Sequence, residues 1–205
     1  MTMEKPLRLA DVTTPNILTL IRIVISPIFL FCFTVHTLGA YILCFLLAVI
    51  IELSDYFDGI IARKSNQITD FGKLMDPFAD SIARFTIFLS FLSAGLAPLW
   101  MIAIFFYRDV LVSVVRVFSM RQGIVVSARK SGKTKAWVQA VSTFLVLLLL
   151  ILQRAQALPP SLAVDPAFKQ LTMVIIGIAA LVTLWSAFDY WIHNKQAVFS
   201  AMRSK

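Results

Sequence analysis

Of the eleven acidic residues in this chain, four stand as two helix-spaced pairs within one short stretch: Asp55 with Asp58, and Asp76 with Asp80. The stretch reads DYFDGIIARKSNQITDFGKLMDPFAD, with Asp70 in the polar loop between the pairs. Spacings of i, i+3 and i, i+4 turn each pair to one side of a helix. Both pairs border long apolar runs, where an unpaired carboxylate is expensive and usually marks a functional site. Four converging carboxylates repel one another unless cations sit among them. Mg²⁺ or Mn²⁺, hard ions that take oxygen ligands, suit that set.

Acidic pairs around a dication point to phosphoryl transfer, in which the metal neutralises oxygens of the phosphate and the leaving group. One carboxylate can also take the proton of an attacking hydroxyl. The rival from another class is an intramembrane cation transporter. Transport acids, however, usually lie near the bilayer midplane and recur in paired halves. Here all four gather at one interface, and the second half of the chain has no matching set.

The neighbours of the acids carry two readings each. Gly59 lets another backbone or a flat ligand come close, or serves helix packing in a membrane. Arg63 offers a planar fork of donors to phosphate, or with Lys64 simply anchors the cytoplasmic side. Gly72 precedes Asp76 and Asp80, and Pro77 falls in the first turns of its helix, where a missing N–H costs least.

The elements that must hold these residues are membrane helices. The chain has 205 residues, 59% of them hydrophobic and only 15% charged, too apolar for a soluble domain of this length. Six segments are long enough, or nearly so, to cross a bilayer: about 17–35, 40–61, 71–94, 99–120, 137–152 and 171–192. The expected fold is therefore all-α, a single domain over 1–205 with six transmembrane helices. Lys and Arg gather before the first segment, in the second–third and fourth–fifth connections, and in the tail over 193–205. The connections near Gly39 and Gly95 have none, and that over 153–170 has only Arg154 and Lys169. The positive-inside rule puts both termini and the aspartate stretch in the cytoplasm.

Residues 1–14 carry Glu4 and Asp11 and lack the apolar core of a cleavable signal, so they read as a short interfacial helix or a tail. The net charge of +8 suits an anionic lipid surface. Spread over four cytoplasmic segments, it gives no footprint for nucleic acid. Cys32 and Cys44 lie inside apolar spans and read as inert packing residues.

Position for position, the stretch resembles the signature of the CDP-alcohol phosphotransferases, D-x-x-D-G-x-x-A-R, eight residues, then G-x-x-x-D-x-x-x-D. Those positions are Asp55, Asp58, Gly59, Ala62, Arg63, Gly72, Asp76 and Asp80. The resemblance implies a six-helix enzyme of the cell inner membrane, with its site facing the cytoplasm. It implies that Asp55, Asp58 and Asp76 bind the metal at the pyrophosphate of a CDP-linked lipid. Asp80 borders the metal and acts as the base. Gly59, Ala62 and Gly72 let the cytidine lie close to backbone, and Arg63 contacts phosphate. The acceptor hydroxyl then attacks the lipid-bearing β-phosphorus and CMP leaves.

Outside the signature, TTPNILTLIR over 13–22 and the stretch from Tyr107 to Val141 resemble bacterial phosphatidylglycerophosphate synthases. That resemblance implies CDP-diacylglycerol and glycerol 3-phosphate as substrates. Serine, inositol phosphate or another alcohol remains as the alternative acceptor. Arg108 and Arg116, eight residues apart, project within about a quarter turn of each other on one apolar helix. Buried arginines need anions, so these two and Lys135 are candidates for the acceptor phosphate. The competing reading is a structural ion pair, although Asp109 projects to a different side from Arg108. Arg22 is open between a nucleotide contact and a helix contact.

Where such synthases often have Lys after the last aspartate, this chain has Ser81. Arg84, at i+4 from Asp80, pairs with it or takes that lysine's place. Glu52 is an extra carboxylate one turn before Asp55. A homodimer is the oligomeric arrangement kept in view.

Overall fold

The computed structural model describes residues 14–65, 70–121 and 130–203. Among them every regular element is a helix. These are α1 (Thr14–Phe33), α2 (Leu38–Ser65), α3 (Asp70–Ser93), α4 (Leu99–Arg121), α5 (Lys130–Arg154), the one-turn α6 (Pro160–Ala163) and α7 (Asp165–Arg203). Six of them coincide with the six apolar segments. Residues 1–13, and with them the interfacial segment, lie outside the described residues. The tail expected after Ile192 is the continuation of α7, whose 39 residues reach about 58 Å, well beyond a bilayer's apolar core.

Among the described residues three helices are long and apolar enough to cross a membrane, over Leu38–Asp55, Lys130–Arg154 and Asp165–Lys195, and α1 adds a shorter apolar stretch, Ile17–Phe33. Charge sets the other two apart: α3 carries Asp76, Asp80 and Arg84, and α4 carries Arg108, Asp109 and Arg116. The turn between them needs a left-handed residue. Gly95 supplies it at φ +70°, with its N–H on the Leu92 carbonyl and the Leu96 N–H on the Phe91 carbonyl, a Schellman ending.

The helices close a ring. α1 packs against both α2 and α3; α7 packs against both α4 and α5; α2 meets α5 and α3 meets α4. One end of the ring is filled with aromatic side chains. Phe33 lies 5.4 Å from Tyr41 and 5.8 Å from Phe91, and Phe88 lies 4.4 Å from Phe105, ring centre to ring centre. The other end buries Thr19, Arg22, Ser131, Lys135 and Gln139. Outward faces are apolar, with Val24, Phe31, Leu46, Leu181, Trp185 and Phe188 all exposed. Such a surface, apolar outside and polar within at one end, is what a lipid solvent selects.

Candidate active site

α1 is where the aspartates meet. Its one charged residue, Arg22, is fully buried, and a buried guanidinium needs carboxylate partners. Arg22 Nη1 donates to Asp55 Oδ1 of α2 at 2.9 Å and also to Asp80 Oδ1 of α3. One turn earlier, Thr19 Oγ1 donates to Asp76 Oδ1 at 2.5 Å. Arg84 crosses to α2, its Nη2 3.6 Å from Asp55 Oδ2 and its Nε 3.9 Å from Glu52 Oε1. Glu52 thereby gains a cationic partner, and Asp55 is approached by arginines at both oxygens.

Asp109 organises the opposite side. Lys135 Nζ of α5 donates to both its oxygens at 2.7 Å, and Arg108 Nη1 reaches Oδ1 at 3.0 Å. The expectation that Asp109 points away from Arg108 is corrected here: the long arginine side chain bends around the helix to meet it. Arg108 Nη2 also donates to Ser186 Oγ of α7 at 2.8 Å. Ser131, at the start of α5, donates to Asp189 of α7. Arg108 and Lys135 thus share Asp109 as an ion-pair partner, while Arg116 has no carboxylate partner among the described residues.

Between the two sides lies a cavity of about 230 Å³. Asp55, Asp80 and Arg84 line one wall; Arg108, Asp109, Arg116, Lys133, Lys135 and Tyr190 line the other. Among the described residues, the buried Arg108 Nε and Tyr190 hydroxyl have no hydrogen-bond partner. Unsatisfied donors beside a polar cavity suit a ligand rich in oxygen.

Asp58, Gly59, Ala62 and Arg63 belong to the last turns of α2, and Gly72 to the first turn of α3. Beyond that helical backbone, these five lie outside the described residues. Among the described residues no group of three His, Cys, Asp or Glu stands close enough to hold a metal ion, a set that lacks the Asp58 side chain. The donor chemistry fits one nonetheless. Asp55 and Asp80 turn oxygens onto a single cationic nitrogen, and carboxylate oxygens are the ligands hard dications take.

Thr19, Ser131, Ser186, Asp189 and Tyr190 escaped the reading of the sequence. Asp189 and Arg22 had a usable signal, each being the lone charge within its apolar segment, 171–192 and 17–35. The three hydroxyl-bearing residues and Tyr190 had none, since such residues are common in any membrane helix.

The family model described as CDP-alcohol phosphatidyltransferase matches residues 12–185. A CDP-diacylglycerol–glycerol-3-phosphate 3-phosphatidyltransferase of Bacillus subtilis is 30% identical over 201 residues, covering 90% of this chain and 96% of its own. Proteins of the same name from Rickettsia bellii (32% identical, 67% of this chain, 76% of theirs) and Pectobacterium atrosepticum (28%, 86% and 91%) are also similar. The matched region takes in the whole aspartate stretch and the helices that carry its partners, so this chain belongs to the CDP-alcohol phosphatidyltransferase family.

Proposed function

We propose that this chain transfers the phosphatidyl group of CDP-diacylglycerol to glycerol 3-phosphate, releasing CMP and forming phosphatidylglycerol phosphate. The names of its relatives support the reaction. The observation that carries the reading is the uneven charge of one cavity: Asp55 and Asp80 outnumber Arg84 on the α2–α3 side, while Arg108, Arg116, Lys133 and Lys135 outnumber Asp109 on the α4–α5 side. That asymmetry matches a reaction between a metal-bound pyrophosphate and an acceptor that is itself a phosphate.

Asp55, Asp58, Asp76 and Asp80 would hold the divalent metal, Mg²⁺ or Mn²⁺. When bound, it neutralises oxygens of the pyrophosphate and of the departing CMP. Gly59, Ala62, Arg63 and Gly72 line the nucleotide. Arg116, with Arg108 and Lys135, holds the acceptor phosphate and aims its hydroxyl at the β-phosphorus. Asp80, which lines the cavity, takes the hydroxyl proton as the new oxygen–phosphorus bond forms. The bond from the β-phosphorus to the bridging oxygen breaks, and CMP leaves with that electron pair.

All six long helices cross the bacterial inner membrane in this reading. Both termini and the α2–α3 and α4–α5 connections face the cytoplasm, where Arg63, Lys64, Lys73, Arg121, Arg129 and Lys130 belong. The lipid substrate enters sideways from the bilayer, between helices.

Chelation is the direct test. CMP release from CDP-diacylglycerol should require the acceptor, stop in EDTA and return with Mg²⁺ or Mn²⁺; release undiminished in EDTA would refute the metal role. Asp80→Asn separates base from ligand. It should keep its affinity for CDP-diacylglycerol and lose the single-turnover rate by about 10²- to 10⁴-fold. A large loss of lipid affinity with an unchanged chemical step would reverse the assignment.

A further inference from the structure

We propose that α1 is the positioning template of the aspartate site, with Thr19 setting Asp76 and Arg22 setting Asp55 and Asp80. Neither residue belongs to the eight-residue signature, and the proposal rests on reading those aspartates as metal ligands. Thr19 and Arg22 are spaced i, i+3, so they share one face of α1. That face is buried, with Thr19 1% and Arg22 0% exposed. α1 is also the helix that packs on both α2 and α3, the two that carry the acids. Its side chains can therefore fix carboxylates from separate helices relative to one another.

Many hydroxyls of the bundle bond only within their own helix, and among those that cross, Ser131 ends on Asp189, outside the signature. Ser26, Ser54, Ser81, Ser90 and Thr183 each donate to the carbonyl four residues back in their own helix. Those bonds satisfy a hydroxyl in an apolar setting and do nothing between helices. Thr19 reaches across to another helix and ends on a carboxylate of the signature. Arg22 does the same with two more, and one nitrogen serves both. Its positive charge offsets the repulsion that would drive Asp55 and Asp80 apart, and its two contacts fix the spacing of their oxygens.

Partners that orient a ligand govern metal affinity through the ligand's freedom to turn away, and their loss typically weakens binding about 10- to 100-fold. A helix-packing contact would show no such effect.

The test is Mn²⁺ binding to the detergent-solubilised full chain, followed by the electron paramagnetic resonance signal of free Mn²⁺. Thr19→Val keeps the shape and removes the donor; it should weaken Mn²⁺ binding about tenfold and leave the KM for glycerol 3-phosphate unchanged. Thr19→Ser, which restores the hydroxyl, should recover most of the affinity. Arg22→Lys keeps the charge but loses the reach to both carboxylates, so it should weaken binding in the same direction. Wild-type affinity in Thr19→Val, or equal weakening in the Ser and Val variants, would overturn the template while leaving the metal site standing. A wild-type chain that binds no Mn²⁺ would overturn both.

Discussion

Asp76→Asn should lose on the order of a hundredfold or more of turnover while the bundle stays folded. The substitution is close to isosteric, and the asparagine carbonyl can still accept the proton of Thr19, which now bonds Asp76 Oδ1. What disappears is the charge. In a cluster that, on the proposed reading, holds a dication against a pyrophosphate, the loss of one negative ligand falls on metal binding and on the transition state together. Turnover of CMP release at saturating substrates, beside thermal unfolding in detergent, separates this from misfolding. Turnover near that of the wild type would remove Asp76 from the machinery.

The second large effect belongs to the acceptor. Arg116→Gln should raise the KM for glycerol 3-phosphate by roughly 10- to 100-fold, the worth of one charge-assisted contact of about 1.5–3 kcal/mol, and change the KM for CDP-diacylglycerol much less. Arg116 is preferred to its neighbours on geometric grounds. Arg108 and Lys135 already share Asp109, so part of each charge is offset within the protein. Arg116 lines the same cavity without such a partner among the described residues. Arg108→Gln should act in the same direction, with some loss of stability, since it also frees Asp109 and Ser186 from a contact. Initial-rate kinetics with each substrate varied in turn measure both, and an unchanged KM in Arg116→Gln would put the acceptor phosphate elsewhere.

Helices were legible in the sequence because length and apolar content are local properties. All six long ones overlap the apolar segments, with α5 beginning earlier, at Lys130, and α7 running from Asp165 to Arg203. α6 escaped notice because four residues of PSLA in a polar connection give no period to read. The extension of α7 to Arg203 escaped because the apolar run ends at Ile192 and the charged residues after it, Lys195 and Arg203 among them, read as a tail. Charge ends an apolar run, but a helix can continue into water.

The aspartate pairs were legible for the same local reason, since i, i+3 and i, i+4 spacing needs no tertiary information. Contacts between helices were not. Nothing in the spacing says that α1 lies between α2 and α3, so Arg22 could not be placed and Thr19 could not be noticed. Arg84 read from the sequence as a partner of Asp80 at i+4 or a stand-in for the lysine, and the structure carries it across to Asp55 and Glu52 on α2. An ion pair of Arg108 with Asp109 was the competing reading, although adjacent residues project apart on a helix. The length of the arginine side chain, a property no helical wheel represents, brings the two together.

The most direct measurement offers labelled acceptors one at a time to the purified protein with CDP-diacylglycerol and Mg²⁺, and identifies the lipid product. Glycerol 3-phosphate should give a labelled phosphatidylglycerol phosphate and one CMP per lipid formed, with serine and inositol phosphate left unused. Label entering lipid from serine or inositol phosphate in preference to glycerol 3-phosphate, or CDP-diacylglycerol cleaved to phosphatidic acid without transfer, would contradict that reaction.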